Sequence, residues 1–189
     1  SIWFFHAKVI FFDGGLKDSP FWRNPAYDWS HWDYPELVPM LAARTAAFIG
    51  VWNEFAPKGG LIPLAVAGFT GLLAAGTRQG FLMLAPAAAA VMGAALWNGY
   101  MDGWIALYAA VAVLSLGAWM ESSSRADLAL CAAALGTTLC VKNEGQLVAA
   151  SLLPAILWAA AVRRKTLRRQ DVSELDGLLP RDHEIHFYR

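Results

Sequence analysis

Asp102, Lys142 and Glu144 are the residues with which this chain could do chemistry, because each interrupts apolar sequence that tolerates almost no charge. Between residues 59 and 162 only seven are charged. Asp102 closes the run Asn98-Gly-Tyr-Met-Asp102, and Lys142 opens Lys142-Asn-Glu144-Gly145, both at breaks between hydrophobic stretches. A third polar island, His31-Trp-Asp33-Tyr34-Pro35, comes just before the apolar part begins. An ionisable group at the edge of a membrane span is costly to place and marks a functional site by default. Carboxylates serve as general bases or metal ligands, and a lysine neutralises a phosphate as a point charge. Two carboxylates and an ammonium on one side of a membrane suit a lipid-phosphate leaving group.

Plainer roles compete at each position. Asp102 suits the N-cap of a helix starting at Gly103, where negative charge meets the positive end of the dipole. Lys142 can snorkel from a short span, and Glu144 can pair with it or cap the next helix. His31 and Asp33 are of metal-ligating type, but two residues fix no geometry, and a loop histidine is ordinarily solvated. Near the end, Asp182-His-Glu-Ile-His186 lacks the His-Glu-x-x-His spacing of a zinc helix and receives no role.

The elements that must position these groups follow from composition. The 189 residues are 57% hydrophobic and 16% charged, with a mean hydropathy of +0.40, whereas soluble domains run near a quarter charged. The expected fold is all-α, a polytopic transmembrane helix bundle with an N-terminal extracytoplasmic region of interfacial helices. Uncharged runs at 59–76, 79–101, 103–120, 128–141 and 145–162 predict five spans, the fourth short. The chain divides into 1–58, the external loop region; 59–162, the five-span bundle; and 163–189, a basic and then mixed-charge tail. Residues 2–12 are too short to span and predict a helix in the headgroup plane, ended by Asp13-Gly-Gly15. Residues 37–52 predict a span or a second surface-lying helix. Cys131 and Cys140, nine residues apart, fall on opposite faces of one helix and read as buried, inert thiols. Net charge is zero and the pI about 6.9, so no nucleic-acid partner is implied. The basic run at 163–169 suits lipid headgroups. The opening at Ser1, without Met and directly in aromatic sequence, predicts a segment of a longer protein.

Lys and Arg in short loops orient the spans. Arg78, Arg125, Arg163, Arg164, Lys165, Arg168 and Arg169 collect on one side, which becomes cytoplasmic; the other side's short loops hold Lys142 alone. Asp102, Lys142 and Glu144 therefore share the extracytoplasmic face. His31 and Asp33 join them only if residues 37–52 do not cross.

The order of motifs resembles a known family. Trp3-x-x-x-Ala7-Lys8, His31-x-Asp33-Tyr34-Pro35-x-Leu37, Gly99-Tyr-Met-Asp102 opening a span and Lys142-Asn-Glu-Gly145 closing one look like the C-type membrane glycosyltransferases. Within these it resembles the branch that includes protein mannosyltransferases and aminoarabinose transferases. The resemblance covers residues 3–162 and implies transfer of a sugar from a polyprenyl-phosphate carrier to an extracytoplasmic acceptor in the bacterial plasma membrane. It implies Asp102 as the catalytic acidic residue, at the carrier phosphate or its divalent metal ion. Lys142, Glu144 and Tyr100 fall to the carrier phosphate, and His31, Asp33 and Tyr34 to the pocket wall. The implied partners are the polyprenyl-phosphate sugar and membrane lipids. The family's principal carboxylate follows a first span upstream of the Trp-x-x-x-Ala-Lys helix, and this chain begins at that helix. It is therefore expected to lack that span and acid, and to be inactive alone. A transporter or channel, whose charges would sit near mid-span, and a non-catalytic membrane subunit are the alternative readings.

Overall fold

The computed structural model describes residues 1–14, 20–75 and 100–178, with side chains through 163. All regular structure among the described residues is helical. The chain separates into two compact units, Ser1–Leu152 and Leu153–Arg189.

In the first unit, α1 (Ile2–Asp13) ends where Gly14 takes a left-handed φ of 66° and its amide bonds the Ile10 carbonyl, a conformation glycine adopts without a Cβ penalty. Two 3-10 turns follow, Pro20–Arg23 and Pro25–Ser30. Asn24 starts the second by accepting the Ala26 amide on its side-chain oxygen. The helix α2 (Leu37–Ile49) is stopped by Gly50 at φ 82°. Its 13 residues rise about 20 Å at about 1.5 Å each, which is too short for a hydrocarbon core of about 30 Å. Expected either to cross or to lie on the surface, this segment is a short helix packed on α1. The seam is made of small residues, Ala7 against Ala42 and Ala43, with Phe4, Phe11 and Trp52 closing around it.

A 3-10 turn, Ala56–Leu61, runs directly into α3 (Ile62–Ala75). Beyond the undescribed stretch, α4 (Asp102–Ser122) and α5 (Arg125–Val141) form a hairpin. Its corner is set by Ser123 at φ 66° and by the Ser124 hydroxyl, which accepts the Asp127 amide. The last helix, α6 (Gly145–Leu178), begins in the first unit and makes up the described part of the second. Pro154 lies inside it and cannot return a hydrogen bond to the Ala150 carbonyl.

Three stretches are long and apolar enough to cross a membrane: Ala56–Ala75, Asp102–Ser122 and Gly145–Arg163. They match three of the five expected spans. The expected span at 79–101 lies almost wholly outside the described residues. The expected span at 128–141 belongs to the 17-residue α5, which starts earlier, at Arg125. In lipid the hydrophobic effect does not hold helices together; close packing and interhelical hydrogen bonds do. Both are present between α3 and α4. Gly68 and Gly71 face Leu107 and Val111 so closely that a Cβ would come within 2.5 and 2.9 Å of them. The Tyr108 hydroxyl donates to the Leu64 carbonyl at 2.8 Å.

The plainer role of Asp102 and one expectation are corrected. Asp102 is the first residue of α4 and not its cap; Met101 precedes the helix, and the Asp102 side chain pairs with Lys142. Cys131 is buried, but Cys140 is exposed in the chain. A turn of 900° from residue 131 to 140 puts them on opposite faces, and only one face meets α4.

Candidate functional site

The site lies in the first unit, where the start of α4 meets the α5–α6 turn. Lys142 leaves α5 in extended conformation, φ −160° and ψ 152°, which carries its side chain back towards the head of α4. Its ammonium donates to Asp102 Oδ1 at 3.1 Å and pairs with Glu144 Oε1 at 3.0 Å. Lys142 is 17% exposed, Asp102 67% and Glu144 46%. With so much solvent around the carboxylates, each pair contributes about 0.2–1 kcal/mol. The pairs matter more for position than for stability. Partial burial alone would lower the Lys142 pKa, but the hydrogen bonds to Glu144 and Asp102, together with their charges, outweigh it and raise it above the usual lysine value. A raised lysine pKa stabilises the fold fully below the unfolded value and is lost only as pH rises through the folded one, so the cation persists through neutral pH. Two carboxylates around one ammonium leave the cluster one negative charge in excess.

Gly145 is what lets the turn close. A Cβ there would overlap the Thr138 carbonyl oxygen and then its carbon, backbone atoms that cannot step aside. Gly145→Ala is therefore expected to cost about 1–3 kcal/mol as overpacking and to loosen Lys142 from Asp102. A thermal-unfolding comparison checks this, and an unchanged midpoint would contradict it.

A cleft of about 420 Å³ opens beside this cluster. Tyr100, Met101, Asp102 and Lys142 line one part, and the start of α1 lines another with Ser1, Ile2 and Trp3. The remaining wall is the turn from His31 to Tyr34, closed by the Tyr34 amide on the His31 carbonyl at 2.9 Å. Tyr34 stacks on Trp3, with centroids 5.1 Å apart and planes at 18°, and on His31, at 5.1 Å and 14°. Trp3 is buried, Tyr34 half-buried and His31 exposed. His31 holds a positive φ of 53° as the left-handed cap that ends the Pro25–Ser30 turn, its amide bonding the Asp28 carbonyl.

The three polar islands thus come together, though not every residue holds the place expected of it. Asp33 does not line the cleft; its Oδ2 accepts from Asn143 Nδ2 at 3.0 Å and ties the 31–35 turn to the 142–145 turn. Glu144 also stands outside the lining and braces Lys142 from the side. Sequence reasoning missed Asn143 as that tie and Trp3 as the base of the aromatic wall. Trp3 had a signal in its motif but none for its partner. Among the described residues no three or more His, Cys, Asp or Glu side chains gather to hold a metal ion. The ammonium engages Asp102 through Oδ1, and no step below runs through a metal ion.

No family model matches this chain, and neither a curated protein nor a solved structure matches it.

Proposed function

We propose that this chain carries the carrier-lipid site of a C-type membrane glycosyltransferase, open on the extracytoplasmic side of a bacterial plasma membrane. The observation that supports this best is Lys142, a persistent cation held between two carboxylates at the head of a candidate span, beside a cleft with an aromatic wall.

Because the cluster is already anionic, a carrier phosphate cannot simply add to it. The phosphate replaces Asp102 as the acceptor of the Lys142 ammonium, while Glu144 keeps the lysine aimed. The displaced Asp102 carboxylate, exposed at the cleft, is then free to accept a proton from the acceptor's hydroxyl or amine. The acceptor heteroatom forms a bond to the anomeric carbon, and the bond from that carbon to the phosphate oxygen breaks with its electron pair. Polyprenyl phosphate departs carrying one more negative charge than it had in the donor. Lys142 meets that charge as it develops, the kind of preorganised electrostatic stabilisation that lowers a barrier. Trp3 and Tyr34 back the stack, and its exposed His31 ring with the half-buried Tyr34 beside it offers the sugar ring a surface with polar edges. Charges at span ends, and not at mid-span, favour this chemistry over a transport path.

One labelling experiment tests ligand and side together. In a chain with Cys131→Ala and Cys140→Ala, Tyr100→Cys places a thiol at an exposed position of the cleft. It is expected to react with a membrane-impermeant reagent applied from outside, and more slowly once polyprenyl-phosphate sugar is added to the membrane. Labelling from the cytoplasmic side only would reverse the orientation. Labelling indifferent to the carrier would remove the lipid from the cleft.

A further inference from the structure

Phe48 and Phe55 are the most exposed aromatic side chains among the described residues, at 92% and 80%. Ile49 and Val51, each about half exposed, stand between them. All four belong to one short turn. Gly50 stops α2 just after Phe48 and Ile49, and the chain then runs through Val51 and Phe55 into the Ala56–Leu61 turn and α3. The opposite face of α2 is already covered: Val38, Ala42 and Ala46 are buried, with Ala42 in the seam against α1.

Apolar side chains exposed as a group mark an interaction surface, and the path of the chain says what covers this one. The stretch Ala56–Ala75 is long and apolar enough to cross a membrane, and Phe55 is the residue before it. Exposed apolar surface continues along that stretch through Ile62 and Val66. A turn joined to a span without a spacer lies at the level where the span leaves the hydrocarbon.

The polar groups of the turn fit that depth. Arg44 is exposed and lies one helical turn before Phe48 on the same side of α2, about 6 Å away along the axis at about 1.5 Å per residue. From there its guanidinium can reach lipid phosphates while its stem covers apolar surface. Lys58 holds its ammonium 5.8 Å from the centroid of the Phe55 ring. Glu54 is turned to α1, where its carboxylate pairs with Lys8 at 3.6 Å and accepts the Trp52 indole N–H at 3.4 Å. Backbone that enters lipid must find its partners within the protein, and the turn supplies them at four amides. The Gly50 amide bonds the Ala46 carbonyl, Asn53 Oδ1 accepts from the Phe55 and Ala56 amides at 2.9 and 2.6 Å, and the Lys58 amide bonds the Phe55 carbonyl.

We propose that residues 48–55 form a wedge inserted into the lipid leaflet at the head of α3. Phe48, Ile49, Val51 and Phe55 enter the acyl chains, and Arg44 and Lys58 meet the headgroups. Phospholipid is the occupant because the surface runs unbroken into a candidate span and carries cations at its rim, which suit anionic phosphates. Since α1 packs on α2, the wedge also fixes Trp3, and with it the aromatic wall of the cleft, against the bilayer. The inference rests on α3 crossing the membrane and not on which ligand the cleft takes.

Labels read against two quenchers test it on the full chain with Cys131→Ala and Cys140→Ala, in nanodiscs of phosphatidylcholine and phosphatidylglycerol. A fluorophore on Phe48→Cys or Phe55→Cys is expected to lose at least about half its emission when the lipids carry bromine on their acyl chains, and to be shielded from iodide in the water. A fluorophore on Val66→Cys reports the span itself. Bromine quenching at residue 66 but not at 48 and 55 would overturn the wedge and leave the span standing; none at 66 would overturn both. Labels at 48 and 55 that iodide reaches would place the turn in water. Labels shielded from both quenchers would place it under protein, and either result overturns the wedge.

Discussion

Asp102→Asn is expected to abolish sugar transfer while leaving folding and membrane insertion intact. The substitution changes little in size, and the amide oxygen can still accept from Lys142, so the head of α4 keeps its place. What disappears is the basic carboxylate. A positioned general base contributes about 10²–10⁴ in rate, and a loss in that range is the expected result. The effect on stability is small, because an ion pair whose acid is 67% exposed contributes about 0.2–1 kcal/mol. Transfer from a polyprenyl-phosphate sugar by the reconstituted full-length protein, read beside its thermal midpoint, separates the two effects. A mutant with turnover within about threefold of the parent, a barrier change below about 1 kcal/mol, would reduce Asp102 to an acid in the first turn of a helix.

Lys142 separates a structural from a functional role with equal clarity. It is partly buried, has two carboxylate partners and stands at the end of α5, which at 17 residues is short for a span. Lys142→Arg keeps a long cation there, and both roles predict normal insertion. Lys142→Gln keeps most of the length and loses the charge. Snorkelling tolerates that, since a neutral amide at the interface costs less to place than a charge. A phosphate ligand does not, because a hydrogen bond to a charged group contributes about 1.5–3 kcal/mol. The mutant also leaves Asp102 and Glu144 facing an empty centre, which repels a phosphate further. Lys142→Gln is therefore expected to insert and fold but to lose at least about tenfold in carrier affinity or transfer rate, corresponding to about 1.4 kcal/mol. Binding and turnover within about twofold of the parent would take Lys142 out of the site, and the glycosyltransferase reading would lose its main support.

Local structure was legible in the sequence to the extent that it depends on neighbours a few residues away. Gly14 and Gly50 end their helices because only they reach positive φ without strain. Residues 59–75 and 103–120 stood out as apolar, helical stretches because no charged side chain interrupts them, and a backbone in such surroundings satisfies its polar groups within the helix. The polar islands stood out because charge in such surroundings is costly. Asp102 shows the limit of this reading: composition left a helix cap and a site residue both open there, and the pairing with Lys142 lies beyond local sequence.

The sequence by itself determined the helices, their apolar lengths and the placing of charge at their ends. Helix formation and hydropathy are sums over a dozen or so adjacent residues, and that information is local. Which charge meets which was decided by the tertiary structure alone. Lys142 finds Asp102 across 40 residues, and Asn143 finds Asp33 across 110; no periodicity carries a signal over such a distance. The stack of Trp3, Tyr34 and His31, and the burial of His6 opposite Glu36, arise only when α1 packs on α2 and draws the loop between them inward. Packing of small residues, Ala7 on Ala42 and Ala43, sets that approach, and the site geometry follows from it.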